Sequence, residues 1–257
     1  MDANCPPEPW TIFAGFEPSA RLRLLCFPFA GGGASTYRAW GADLAGSGVE
    51  VWPVQLPGRE NRRREPPVDD LGVLVQQLAD AFGPCLGRTP YALFGHSLGA
   101  LIAYEFAREL RRRGLPEPVR LIASAHRAPS RPDLGAPMHD MPHAQFIERL
   151  REVGALPEQM LREPDLLDLL VPKFRADFAL SERYRWEPGK ALDCPLTVLG
   201  GRADTLPEHE LWAWETMTTG PFQVTLLQGD HFYLLNESRR PTIETVDALL
   251  SPVDADD

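Results

Sequence analysis

The chain has 257 residues, of which 44% are hydrophobic and 24% are charged, a composition that supplies one α/β domain with a substantial core. Its formal net charge of −10 argues against a nucleic-acid partner, because the phosphate backbone repels an acidic surface. No apolar run approaches the about twenty residues that cross a membrane, and residues 1–9 carry no signal-peptide pattern, so we expect a soluble, cytoplasmic protein.

Strand-like runs alternate with helical segments along the chain, which is typical of an α/β protein with a mostly parallel central sheet flanked by helices. The predicted strands cover residues 21–27, 49–54, 91–94, 119–125, 195–199 and 222–227. The predicted helices cover residues 37–45, 71–82, 98–113, 208–218 and 242–250. Residues 8–16 are a candidate for a further edge strand.

The stretch from about 130 to 189 is longer than the single helix needed to join the fourth and fifth strands, and its pattern is helical. Leu166, Leu170, Phe174 and Phe178 recur every fourth residue and form an apolar stripe on one helix face. The stripe either covers the functional edge of the sheet as a lid or forms the core of the insertion itself. We predict a single domain, residues 1–257, with a helical lid insertion at about 130–189.

Residues 95–99 (GHSLG) stand between a predicted strand and a predicted helix, the context that a nucleophile elbow requires. Glycines two positions before and after Ser97 leave room for the strained turn that exposes the hydroxyl. The N–H of Leu98, at the helix N-terminus, is suited to stabilise an oxyanion. The alternative is a glycine-rich turn with an ordinary capping serine. We expect His96 to pack or hydrogen-bond locally rather than to act as the base.

A serine nucleophile in this setting takes its acid and then its histidine from further along the chain. Asp204 follows the fifth predicted strand and His231 follows the sixth, so both are expected at the sheet edge that carries Ser97. His209 lies at a predicted helix start and is expected to face solvent. Asp230, beside the histidine, suits a turn better than the role of the acid.

The loop after the first strand, residues 28–35, contains three consecutive glycines that let the backbone approach a substrate closely. Its alternative use is to hold a phosphate, but the Gly-X-Gly-X-X-Gly and Walker spacings are both absent. The backbone N–H of Ala30 is therefore our candidate for the second oxyanion donor.

Five segments together resemble the type II thioesterases that accompany modular polyketide and nonribosomal peptide synthetases, and the resemblance covers nearly the whole chain. The segments are 28–32 (PFAGG), 56–60 (LPGRE), 95–99 (GHSLG), 174–178 (FRADF) and 229–232 (GDHF). The resemblance implies an α/β-hydrolase fold, with Ser97, Asp204 and His231 at the catalytic triad positions. One departure is visible: many relatives have proline directly after the acid, whereas here Thr205 follows Asp204.

The resemblance implies an editing enzyme that removes acyl or aminoacyl groups from the phosphopantetheine arm of carrier proteins through an acyl-serine intermediate. It implies transient carrier-protein partners, and we expect a monomer. No cofactor is implied, because the substrate itself carries the phosphopantetheine. Phe29, Phe232 and Tyr233 are candidates for an apolar substrate channel. A small-molecule carboxylesterase or lipase-like hydrolase, and a binding module that has lost its chemistry, are the alternatives.

Carrier proteins of this kind are acidic, so docking on an acidic chain needs a local basic patch. Two arginine clusters are candidates, although arginines at loop and helix ends are commonly just solvated. They are Arg59, Arg62, Arg63 and Arg64, and Arg111, Arg112 and Arg113.

The cysteines are Cys5, Cys26, Cys85 and Cys194. Their positions show no metal-ligand spacing, and Cys26 and Cys194 lie in or beside predicted buried strands. We expect four reduced thiols, with neither a disulfide nor a metal.

Overall fold

A computed structural model describes residues 5–15, 17, 19–131, 135–154, 163–236 and 238–251. Within these residues six parallel strands form one sheet in the order β2-β1-β3-β4-β5-β6. The strands are β1 (Leu22–Phe27), β2 (Val49–Pro53), β3 (Tyr91–His96), β4 (Arg120–Ser124), β5 (Leu196–Gly201) and β6 (Phe222–Leu227). The predicted α/β class and all six predicted strands are confirmed.

Helices lie on both faces of this sheet. They are α1 (Trp40–Asp43), α2 (Leu71–Phe82), α3 (Leu98–Arg112), α4 (His143–Glu152), α5 (Pro164–Glu182), α6 (Glu208–Trp212) and α7 (Arg239–Leu250). The helix predicted at 37–45 is shorter, since 3₁₀ turns flank α1, and the one predicted at 208–218 continues after α6 as a 3₁₀ turn. No described helix is both long and apolar enough to cross a bilayer.

The edge strand predicted at 8–16 is wrong as far as these residues are described. Thr11 makes one isolated antiparallel bridge to Val54, and the chain does not continue as a strand. Pro7 and Pro9 lack the N–H groups that a ladder needs, which explains the interruption.

Alternate strand residues face opposite helical layers, as expected for a sheet that is buried on both sides. In β1, Leu25 and Phe27 pack with α2 and α3 in one core cluster. Leu24 and Cys26 pack in the other cluster, which includes Ile243 of α7. The carboxyl ends of the parallel strands therefore meet along one edge, where the connecting loops carry the candidate site residues.

The insertion between β4 and β5 contains α4 and α5 and has its own apolar core. Phe174 is part of this core, and Leu170 and Phe178 pack partly buried against it. Phe178 also lines the cavity that contains Ser97. The stripe therefore contributes to the core of the insertion through Phe174 and borders the cavity through Phe178. Met138, Phe146, Leu150, Leu167, Val171 and Phe174 form the buried cluster.

The carboxylate of Glu182, at the end of α5, joins the two ends of the insertion. Its Oε1 accepts the N–H of Met138 at 2.8 Å, and its Oε2 accepts the N–H of His139 at 2.9 Å. The Nδ1 atom of His139 lies 2.5 Å from the same Oε2. Arg175 of α5 adds a bond from its guanidinium to the carbonyl of His139 at 2.7 Å.

The expectation of four reduced thiols is wrong for one pair, because Cys5 and Cys85 form a disulfide. These cysteines are 80 positions apart, but their Cα atoms lie 5.7 Å apart where the N-terminal segment packs beside the turn after α2. Spacing along the chain gives no sign of this proximity. Cys26 and Cys194 are free and buried.

Candidate active site

Ser97 occupies the sharp turn between β3 and α3, with φ of 53° and ψ of −121°. Its N–H donates to the carbonyl of Ser124 at 2.7 Å, which ties the turn to β4. A Cβ atom on Gly95 would lie 2.1 Å from the carbonyl oxygen of Gly99, and one on Gly99 would lie 2.1 Å from that of Phe27. Only glycine fits at either position, so the predicted strained elbow is present.

The loops after β5 and β6 bring Asp204 and His231 together. Nδ1 of His231 lies 2.8 Å from Oδ2 of Asp204. The Oδ1 atom of Asp204 accepts the N–H of Leu206 at 3.0 Å, so both oxygens of the carboxylate have partners. The Asp204 side chain is 3% exposed and that of His231 is 34% exposed. With Nδ1 occupied, Nε2 is the nitrogen that can exchange a proton with a nucleophile.

A cavity of about 530 Å³ opens at this edge of the sheet. Its lining includes Ser97, Leu98, Ala30, Asp204 and His231. The structure thus places all the predicted triad and oxyanion residues around one space. The opposite side of the cavity comes from the insertion, through Met138, Arg149, Phe178, Ser181 and Glu182. This arrangement suits a nucleophile, a base and two backbone donors acting on one carbonyl group.

The residues set aside on sequence grounds have other partners. Oδ1 of Asp230 accepts the N–H of Phe232 at 2.9 Å, which stabilises the turn that carries His231. The His209 side chain is 67% exposed and lies 3.5 Å from Glu210. Neither residue lines the cavity that contains Ser97.

His96 is fully buried beneath the site. Its Nδ1 lies 2.7 Å from Oγ of Ser124, and the same hydroxyl is hydrogen-bonded to the hydroxyl of Tyr233. Burial lowers the pKa of His96 well below its usual range, and the neighbouring His231 acts in the same direction, so the imidazole is neutral. The His96 ring centroid lies 5.4 Å from that of His231. His96 therefore supports the site from below.

The assignment of Tyr233 to the substrate channel is wrong. Its side chain is fully buried, and its hydroxyl bonds Ser124 instead of facing the cavity. The 3₁₀ turn after His231 directs residue 233 inward, which a run of aromatic residues in the sequence cannot show. Sequence reasoning also missed Ser124, although a polar residue at the end of a buried strand was a usable signal.

Phe29 and Phe232 form an edge-to-face pair beside His231, with ring centroids 5.3 Å apart. Both side chains are half-buried, and the Phe232 ring lies 5.1 Å from that of His231. The pair borders the catalytic histidine candidate, and its role in a substrate channel stays a prediction.

The candidate basic patches are largely paired within the chain. Arg59 and Arg62 are 4% and 6% exposed and bind Asp177 and Glu65, so they are not available for docking. Arg63 and Arg64 of the same cluster are exposed. The second cluster is also engaged, with Arg111 bound to Glu117, Arg112 to Glu109, and Arg113 to Glu109 and Asp80.

Comparisons with known proteins agree with this geometry. Residues 22–250 match the model of the thioesterase domain family. The gramicidin S biosynthesis protein GrsT of Aneurinibacillus migulanus is 38% identical over 236 residues, which cover 91% of each chain.

Among solved structures, the thioesterase RedJ from the prodiginine pathway of Streptomyces coelicolor superimposes with a TM-score of 0.84 at 40% identity, covering 92% of this chain and 90% of RedJ. The type II thioesterase BorB from the borrelidin biosynthetic cluster gives a TM-score of 0.83 at 35% identity, covering 93% and 96%. The chain therefore belongs to the thioesterase family: it is an α/β-hydrolase that acts on thioesters and is similar to the type II members of that family.

Proposed function

We propose that this thioesterase hydrolyses acyl or aminoacyl thioesters on the phosphopantetheine arm of carrier proteins, and so clears stalled groups from a polyketide or nonribosomal peptide synthetase. The observation that carries the hydrolytic part is the cavity shared by Ser97 and the hydrogen-bonded pair of Asp204 and His231. The biosynthetic setting is supported by the similarity of this chain to GrsT, a gramicidin S biosynthesis protein, and to RedJ, a thioesterase of the prodiginine pathway.

In the first half-reaction, Oγ of Ser97 attacks the thioester carbonyl while Nε2 of His231 accepts its proton. The tetrahedral oxyanion accepts hydrogen bonds from the N–H groups of Leu98 and Ala30, each worth about 3 kcal/mol in the transition state. The C–S bond then breaks, and the imidazolium of His231 returns the proton to the leaving sulfur. Ser97 is left as an acyl ester.

In the second half-reaction, a water molecule attacks the acyl-serine while His231 again accepts the proton. The ester C–O bond to Ser97 then breaks, His231 returns the proton to Oγ, and the free carboxylic acid leaves. A thiol has a pKa of about 8.5, so it leaves more easily than an alkoxide, and we expect deacylation to limit the rate. Asp204 keeps His231 oriented and stabilises its imidazolium form. The reaction uses only these groups and water, and phosphopantetheine enters as part of the substrate.

The proposed enzyme acts as a monomer that meets its carrier transiently. Light scattering is expected to give the mass of one chain, and mixing with an acylated carrier is expected to leave no stable complex. A stable dimer contradicts the proposed monomeric state.

We also place the enzyme in the cytoplasm, beside the synthetase that it would serve. The disulfide between Cys5 and Cys85 is unusual for that compartment, where thiols are kept reduced. Fractionation of producing cells is expected to recover the protein with cytoplasmic markers. Recovery from the medium contradicts the placement.

A comparison of three substrates tests the proposed function: an acyl-carrier thioester, the matching acyl-pantetheine and a simple aryl ester. We expect kcat/KM to be highest for the acyl-carrier thioester, because only that substrate offers protein contacts as well as the arm. The Ser97→Ala variant controls for background hydrolysis. Preference for the aryl ester, with no gain from the carrier, favours the carboxylesterase alternative. Full activity of Ser97→Ala in cells favours a binding module.

A further inference from the structure

Two of the segments that carry the family resemblance have no part in the chemistry above, and the structure joins them. Nη2 of Arg59, in segment 56–60, lies 2.6 Å from Oδ1 of Asp177, in segment 174–178. Nη1 of the same guanidinium lies 3.1 Å from Oδ2. The two side chains are 4% and 0% exposed. They form a buried bidentate ion pair between the loop after β2 and helix α5.

This ion pair also binds the glycine loop that carries Ala30. The N–H of Gly31 donates to Oδ2 of Asp177 at 2.7 Å, and Nη1 of Arg59 donates to the carbonyl of Gly32 at 2.9 Å. Nζ of Lys173, one turn earlier on α5, donates to the carbonyl of Gly31 at 2.9 Å. The peptide groups directly after Ala30 are thus held by side chains from the insertion and from the β2 loop.

Packing reinforces these bonds. Gly31 has φ of +80°, and a Cβ atom there would lie 2.1 Å from the ring of Phe174. The N–H of Gly32 closes a turn onto the carbonyl of Phe29 at 2.8 Å. Because the N–H of Gly31 belongs to the peptide that follows Ala30, its bond to Asp177 limits rotation of the backbone at Ala30. Because the Phe29 carbonyl lies in the same peptide group as the Ala30 N–H, the turn and the bond to Asp177 on α5 together restrict the direction of that N–H.

We propose that Arg59 and Asp177 are positioning residues for the oxyanion hole, which hold the Ala30 N–H in its productive direction from helix α5. The inference rests on the part of the proposed function that makes Ala30 an oxyanion donor. It adds that the insertion contributes to the oxyanion hole, because transition-state stabilisation requires α5 to be in contact with the glycine loop. A donor held in place before the reaction stabilises the developing charge without having to reorganise.

The test uses an aryl ester, so that its outcome is independent of any carrier preference. Asp177→Asn keeps an acceptor for the Gly31 N–H but loses the charge, and Asp177→Ala loses both. We expect kcat to fall about 10-fold in the first and about 100-fold in the second, with KM within about threefold of the parent value. Affinity for a trifluoromethyl ketone, which forms an oxyanion on addition to Ser97, should fall by the same factor as kcat/KM.

Glu50→Gln is the matched control, because Glu50 is 3% exposed and forms a buried ion pair with Arg23 on the neighbouring strand. This control should lose thermal stability comparably but keep kcat. Unchanged kcat in folded Asp177→Ala overturns the proposal, and so does an equal loss of kcat in Glu50→Gln at equal Tm. If Asp177→Ala does not fold, Lys173→Met removes the bond to Gly31, together with the contact between the ammonium and the Phe174 ring 5.1 Å away, and is expected to lower kcat about threefold. An unchanged kcat in that variant also contradicts the proposal.

The two proposals can fail separately. A preference for aryl esters over carrier thioesters contradicts the proposed action on carrier proteins and does not affect the proposed positioning role of Asp177. An unchanged kcat in the Asp177 variants contradicts the positioning role. The carrier preference is then still tested separately by the comparison of the three substrates. Full activity of the Ser97→Ala variant contradicts both proposals.

Discussion

Nδ1 of His231 lies 2.8 Å from Oδ2 of Asp204, although the residues are 27 positions apart. The contact arises because β5 and β6 are neighbouring parallel strands, so that the loops after them open at the same edge. The second oxygen of Asp204 is fixed by the N–H of Leu206. The carboxylate therefore holds one orientation of the imidazole and leaves its other nitrogen for proton transfer.

Replacing Asp204 with asparagine should lower kcat by a factor on the order of 10⁴, because an amide can hold the imidazole in the wrong tautomer and cannot stabilise its cation. Initial rates with a thioester substrate measure the effect. Asp230→Asn is the control, since Asp230 is exposed and bonds only its own turn among the bonds described. That variant should stay within about a factor of two of the parent. The reverse pattern makes Asp230 the acid.

The buried imidazole of His96 should make stability depend on pH. Its pKa is lowered in the folded state by burial, whereas the unfolded histidine takes up a proton near pH 6.5. The contribution of His96 is thus fully present above about pH 6.5 and is lost as the pH falls toward its folded pKa, at up to about 1.4 kcal/mol per pH unit.

Urea unfolding at several pH values between 7.5 and 4.5 measures this loss. His96→Gln should show a shallower decline in the free energy of unfolding than the parent does. His209→Gln, at a position whose side chain is 67% exposed, should keep the parent slope. Equal slopes for the parent and His96→Gln would show that the buried imidazole takes up its proton without cost.

Gly99→Ala should damage both stability and activity. The added Cβ would meet the backbone carbonyl of Phe27 at 2.1 Å, so β1 and the elbow must move apart, at a cost of about 1–3 kcal/mol or more. Gly41→Ala is the control because nothing lies within 4 Å of its added Cβ, and it should change stability by less than about 1 kcal/mol. Thermal melts and kcat for both variants distinguish the two sites. A Gly99→Ala protein as stable as the parent contradicts the close approach.

Removing the disulfide should lower stability without affecting catalysis. Cys85 lies near the amino end of β1, where Arg23 bonds its carbonyl at 2.9 Å, and the site lies at the opposite edge. The double variant Cys5→Ser, Cys85→Ser should lose about 2–4 kcal/mol, since the bond closes a long loop. Reductant should lower the Tm of the parent and leave that of the variant unchanged. A large loss of kcat would show that the N-terminal segment reaches the site.

Local features of the fold could be predicted from the sequence. Helix α2 begins and ends where its pattern places it, at residues 71–82. The carboxylate of Asp70 accepts the N–H of Val73 at 2.9 Å, and Leu71, Leu74 and Leu78 are buried on one face. Capping and periodicity act over one or two turns, so neighbouring residues are sufficient to show them.

Site residues could be predicted where a strand end fixes their place. Asp204 and His231 follow strands that the sequence reveals, and the parallel order brings those ends together. The bond between Arg59 and Asp177 spans 118 positions, and no local pattern shows which carboxylate a buried arginine meets. The inward turn of Tyr233 likewise depends on Ser124, on a distant strand.

The hydrogen bonds from the N–H groups of Met138 and His139 to the Glu182 carboxylate restrict how access to Ser97 can change. Hydrogen bonds join residues 138 and 139, near the start of the insertion, to the end of α5. Neither segment can therefore move away from the other while these bonds are intact. A wider entrance on this side requires either that these bonds break or that both segments move together. Because Glu182 itself lines the cavity, either change alters the wall of the space that contains Ser97.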